Sequence, residues 1–196
     1  MFTSITGFAA VILYLIGFSY LLIKLLKEPI FNTSMLKTLA AGAITLHGLS
    51  TIQLLFVADG LDLSLFRIFV LIAFVINLVV FISGRKKPLH SMYLLLFPIS
   101  ALSLIAALET PSTKPVALMS VYIQAHIVIS ILAYSLLAIA ALHALLTGYQ
   151  NWQLKHKKQN FLMRTFPPLQ TMEDFLFELI LAGEVMLTLS LISGFL

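Results

Sequence analysis

Six uninterrupted apolar runs divide this chain, and each is at least about as long as a bilayer is thick. They lie at Phe2 to Leu26, Thr38 to Ala58, Leu63 to Gly84, Ser91 to Leu108, Val116 to Gln150 and Phe175 to Leu196. A hydrocarbon core of about 30 Å is crossed by roughly 20 residues rising about 1.5 Å each. In lipid every backbone N–H and C=O must find its partner inside its own segment, and the alternation of barrel strands is missing, so the runs are read as helices. The expected fold is all-α: a single polytopic transmembrane bundle over residues 1–196, with about six spans. Composition agrees, with 60% apolar and only 10% charged residues and a mean hydropathy of +1.04. Soluble domains carry about 25% charged residues.

The first run carries no Lys or Arg before Lys24 and is too long for a signal-peptide core, so it is read as a retained span. Basic residues mark the orientation. Lys24, Lys27 and Lys37, then Arg85, Lys86 and Lys87, then Lys155, Lys157, Lys158 and Arg164 occupy the first, third and fifth connections; only Arg67 and Lys114 of the 12 fall elsewhere. By the positive-inside rule those connections are cytoplasmic and both chain ends lie outside. The net charge of +4 is thus a topology signal, spread over short clusters and unlike the single basic face of a nucleic-acid binder. With no cysteine, the chain has no disulfide, thiolate nucleophile, zinc-thiolate site or thioether-linked cofactor of its own.

The 40 residues from Pro115 to Leu154 hold no charged side chain and would span about 60 Å as one helix, so the fifth helix is expected to continue into the cytoplasm through Tyr149, Gln150, Asn151 and Trp152. Pro167 and Pro168 stop a helix, and Thr171 with Asp174 reads as a capping box that opens the sixth span. Small residues suggest close helix contact at Ala40 to Ala43, at Ala133, Ala140 and Ala144, and at Ser190 with Gly194; Pro98 is expected to kink the fourth span. The last residues, Gly194 to Leu196, lie at the end of an apolar run without a polar tail, which suggests that further spans follow in the natural protein.

Ionisable side chains inside spans are few: His47, Arg67, His126, His143, Glu178 and Glu184. Such residues are rare in membranes and mark sites by default. His47 lies about eleven residues and His126 about ten from the outer ends of their spans, at comparable depth. Two neutral imidazoles from separate helices are a usual way to hold a low-spin haem iron. Ser130, one turn beyond His126, and Tyr134 on a neighbouring face are candidate partners that would fix the ring's tautomer, with Gln124 nearby. The plainer reading is that each histidine makes one hydrogen bond between helices and orders the packing. His143 comes near the depth of Glu178, and Glu184 would need a partner such as His143, so these three could form an intramembrane polar network. Arg67, near Asp59 and Asp62, is expected to snorkel to the outer surface. His90 and His156 stand among basic residues and read as interfacial. Nucleophile elbows, phosphate loops, paired-histidine zinc motifs and carboxylate metal clusters are absent from the sequence, and no enzyme activity is expected.

Four stretches carry a resemblance: the helix that runs from His126 through Ser130 and Tyr134, the basic segment Gln153 to Lys158, the run Pro167 to Asp174, and the stretch Gly183 to Gly194. In order and spacing they resemble the cytochrome c assembly protein family, over about residues 115–196, and the second span with His47 resembles its shorter inner-membrane branch. The resemblance implies a multi-pass protein of the bacterial plasma (inner) membrane that binds b-type, non-covalent haem through His47 and His126. It also implies work with other cytochrome c assembly proteins or haem-pathway enzymes. Haem-delivering members of that family carry a tryptophan-rich outer loop followed by another histidine, whereas the single tryptophan here, Trp152, falls on the cytoplasmic side. Either that loop would follow Gly194, or the chain belongs to the branch without it. Two other functions fit the sequence. One is a cofactor-free scaffold or regulator acting through the basic loops Lys155 to Arg164, and the other a proton-coupled transporter built on His143, Glu178 and Glu184.

Overall fold

The computed structural model describes residues 2–27, 33–57, 60–111, 120–157 and 166–195. Among them are six helices long and apolar enough to cross a membrane: α1 (Phe2–Lys27), α2 (Ser34–Leu55), α3 (Leu65–Ser83), α4 (Tyr93–Glu109), α5 (Val121–Lys155) and α6 (Leu169–Gly194). The fold is all-α, as the apolar runs require. The chain divides into two compact units, Met1–Arg85 with Met92–Met119, and Lys86–Ser91 with Ser120–Leu196.

The first unit is a four-helix ring in which α1 packs on α2 and α4, and α3 packs on the same two helices. Pairs such as Thr6 with Gln53 and Tyr14 with His47 show α1 and α2 to be antiparallel. Ala10, Ala40 and Ala43 are fully buried and bring backbones close, the role expected for the small residues of the second span. Gly17 does the same on α1, where a Cβ would come 2.6 Å from the Phe97 ring. Lipid supplies no hydrophobic drive between helices, so this close packing and the buried polar pairs are what hold the ring together. One pair is Asn77 on α3, whose Nδ2 donates to Ser100 Oγ on α4 at 2.7 Å. Pro98 lies within α4, and the helix continues past it.

Two features of the connection between α2 and α3 differ from expectation. The helix ends at Leu55, because the chain turns into a short antiparallel hairpin, β1 (Phe56–Val57) with β2 (Gly60–Leu61). Gly60, at φ 135, supplies a conformation that other residues resist. Nor does Arg67 reach for the surface. It is buried, with Nε 2.9 Å from Asp62 Oδ2 and Nη1 donating to the Leu54 carbonyl at 2.7 Å. Asp62 also accepts from Ser64 N, and its own N–H bonds Leu55 O, so the pair clasps the hairpin to the start of α3. Asp59 lies outside the described residues.

The second unit is an antiparallel pair. α5 has 35 residues, about 52 Å of helix, and runs through Tyr149 and Trp152 to Lys155. Ala133 and Ala140 are buried against α6, while Ala144 is exposed. Gly183 of α6 sits against Leu137, where a Cβ would lie 2.7 Å from a Leu137 methyl. α6 begins earlier than the apolar run suggests. Pro168 occupies the N-cap position with no side-chain cap, and Thr171 and Asp174 lie within the first turns instead of forming a capping box. Those turns are polar because they meet Lys87, whose Nζ is 2.7 Å from Glu178 Oε1 and 3.8 Å from Asp174 Oδ2.

Candidate functional site

His126 lies on the second turn of α5, opened by Ser120, whose side chain accepts from Ile123 N. Its ring turns toward the last turns of α6. Nδ1 lies 2.9 Å from Ser193 Oγ and 3.1 Å from the Ser190 carbonyl. A carbonyl can only accept, so Nδ1 carries the proton; Ser193 Oγ gives its own hydrogen to Ser190 O and thus also accepts from the ring. That assignment leaves the lone pair on Nε2, and no hydrogen bond reaches it among the described residues. Ser130 completes the cluster, donating to His126 O at 2.7 Å and meeting Ser190 Oγ at 2.6 Å. Gly194 leaves room for the ring, since a Cβ there would stand 3.2 Å from His126 Cε1.

His47 is placed very differently. It is fully buried in the four-helix ring, with Nε2 3.1 Å from the Val70 carbonyl and Nδ1 2.9 Å from Tyr14 Oη. The carbonyl makes Nε2 the donor, so Nδ1 accepts from the tyrosine and both ring nitrogens are engaged. Tyr14 and Phe74 stand edge-on to the ring at 5.6 and 5.8 Å. As an iron ligand, His47 would first have to surrender one of these bonds. Tyr14 was missed because the candidate partners Ser130, Tyr134 and Gln124 all lie on the helix of His126, and none on the first span. Ser193 was also missed; its signal is the spacing from Ser190 to Ser193 and Gly194 on one helix face.

The remaining candidates do not gather with His126. Tyr134 lies about two turns further along α5 and is 67% exposed. The expected network of His143, Glu178 and Glu184 is not formed. His143 is buried and gives its Nε2 hydrogen to the Met172 carbonyl at 3.0 Å, with its ring edge-on to Phe175 at 5.2 Å. Glu178 is paired with Lys87, and Glu184 is exposed. Depth matched these residues, but their directions around the helices separate them. Of the basic loop, Lys155 to Lys157 are described, and Lys158 and Arg164 lie outside the described residues.

Six spanning helices with buried histidines bonded across helix contacts define a polytopic α-helical membrane protein that carries polar chemistry inside the bilayer. Its family is given by comparison: a model described as Cytochrome C assembly protein matches residues 35–196, and the chain belongs to the cytochrome c assembly protein family. Over 69 residues it is 42% identical to the inner membrane protein YpjD of Escherichia coli K12, and equally to YpjD of strain O157:H7. The aligned stretch is 35% of this chain and 26% of each relative, so it spans about a quarter of the length of these curated proteins. No solved structure matches the chain. Family, relatives and apolar helices together make it a multi-pass protein of the bacterial inner membrane, and membership supports a role in cytochrome c biogenesis.

Proposed function

We propose that the protein binds haem as part of cytochrome c assembly, with His126 Nε2 as an iron ligand. One observation carries the reading: His126 is held through Nδ1 by a carbonyl and a hydroxyl of the neighbouring helix, while no hydrogen bond reaches Nε2 among the described residues. Metal-bound histidines almost always give the other ring proton to such an acceptor, which fixes the tautomer and raises ligand basicity. Ser130, Ser190 and Ser193 are positioning residues for the ring. When bound, haem would supply an iron centre whose potential and ligand exchange respond to that ring. His47 enters the proposal as a packing anchor, since the Tyr14 and Val70 bonds use both of its nitrogens.

Titrating the purified protein with hemin and following the Soret band tests this. His126→Ala is expected to weaken binding by at least about tenfold, and added imidazole to restore the band in His126→Gly. Ser193→Ala should shift the band or weaken binding several-fold. An absorption spectrum and affinity unchanged in His126→Ala would reject His126 as ligand.

A further inference from the structure

Asn77 stands on α3 about 18 Å along the helix from Leu65, at a depth where acyl chains and not water surround the protein. It is fully buried, and its partner across the contact with α4, Ser100, is buried as well. Geometry fixes the orientation of its amide. Nδ2 lies 2.7 Å from the Ala73 carbonyl and 2.7 Å from Ser100 Oγ. Turning the amide over would set Oδ1 against that carbonyl, two acceptors at bonding distance, so the nitrogen faces both groups and spends its two protons there. Oδ1 is then a buried acceptor, and no donor reaches it. In hydrocarbon an unmatched carbonyl oxygen is costly, because no solvent stands by to serve it.

The protons around it are already committed. Ser100 gives its own to Leu96 O at 2.8 Å, and Ser103 gives its own to Ser100 O at 2.9 Å. Tyr14 serves His47 Nδ1, and His47 serves Val70 O. Tyr93, about two turns before Ser100 on α4, does not reach Oδ1. The donor that Oδ1 calls for is therefore a separate molecule, and the full enclosure of Asn77 restricts it to the smallest kind. Water has the right chemistry. It gives one proton to Oδ1. Ser100 Oγ has two lone pairs, of which Asn77 Nδ2 uses one, and the other can take the second proton. Buried waters commonly serve about two to four such groups. One turn outward both helices carry short side chains, Ala73 and Ser103, and neither crowds the amide.

We propose that Asn77 and Ser100 form a binding site for a single water molecule inside the four-helix ring, with Asn77 Oδ1 as its principal acceptor. The water is a structural ligand of the α3–α4 contact and completes a polar bridge where lipid offers no partner. It also makes Asn77 the place where solvent meets the interior of the first unit. The site needs no iron at His126, so it stands or falls apart from the haem reading.

The test is water-edited solid-state NMR on the full chain in phosphatidylcholine vesicles, with asparagine labelled in carbon and nitrogen. The Asn77 signals are those that disappear in Asn77→Leu, and the half-exposed Asn151 serves as the positive control. At mixing times too short for side-chain amide protons to exchange, magnetisation that starts on water should reach the Asn77 side-chain carbonyl of the unaltered chain. Ser100→Ala should slow that transfer by about threefold or more, since the water loses its second partner. Tyr93→Phe should leave it unchanged. The proposal is overturned if Asn151 receives magnetisation from water and Asn77 receives none, or if transfer is equally fast in Ser100→Ala. It is likewise overturned if Tyr93→Phe abolishes the transfer, which would show the tyrosine hydroxyl to be the donor.

Discussion

The three histidines within spans meet the same need in the same way: each gives one ring proton to a backbone carbonyl of another helix. The acceptors are Val70 for His47, Ser190 for His126 and Met172 for His143. What separates them is the second nitrogen. In His47 it takes the Tyr14 hydroxyl, and in His126 no hydrogen bond reaches it among the described residues. Sequence gave the depths of these rings from the span ends, yet a carbonyl acceptor has no residue signature, so their partners could not be read in advance. Removing the tyrosine hydroxyl leaves a buried acceptor without a donor, which costs about 1–3 kcal/mol. Tyr14→Phe is therefore expected to lower stability by that order in reversible unfolding from mixed micelles. His126 chemistry should be unaffected, and equal stability of the two proteins would show the bond to contribute nothing.

At the level of elements, the helices were legible wherever an apolar run was long, and the polar end of α5 through Trp152 was legible as well, but polar residues at other helix ends were misread. The start of α6 is the clearest instance. Thr171 with Asp174 reads as a capping box, but both lie inside the helix, where Asp174 and Glu178 face Lys87, and Pro168 takes the N-cap position with no side-chain cap. The hairpin after α2 was missed although Asp59 followed by Gly60 is a turn signal. Its clasp can be tested. Asp62→Ala leaves Arg67 buried with one carbonyl as partner, a loss of about 3–5 kcal/mol, whereas Asp62→Ala with Arg67→Leu should recover most of it. Thermal unfolding of the two variants distinguishes the cases, and identical midpoints would argue against the clasp. In the helix pair, Gly183→Leu drives a side chain into Leu137 and should destabilise by about 1–3 kcal/mol, with Leu137→Ala in the same chain restoring part of the loss. A protease-protection or unfolding assay that finds Gly183→Leu neutral would show that the contact yields freely.

For the whole molecule, the orientation follows from charge alone. Alkaline phosphatase fused after Asp62 or Pro111 should be active, and fused after Lys87 or Lys157 inactive, because the basic connections stay in the cytoplasm. The reverse pattern would overturn the assignment. The six spans could be read from the sequence because hydrocarbon thickness sets their length. Sequence alone could not show which faces met, as the exposed Glu184 and the buried Arg67 illustrate. A last consequence comes from where His126 is moored. Both of its anchors belong to the far end of α6 and neither to α5, so the imidazole is steered by its neighbour. If α6 slipped by one residue, about 1.5 Å along α5, bonds of 2.9 and 3.1 Å would part and the ring would swivel. The plane of that ring is a gauge of how the two helices are set, and an axial-ligand spectrum would read displacement on the angstrom scale as a change of line shape.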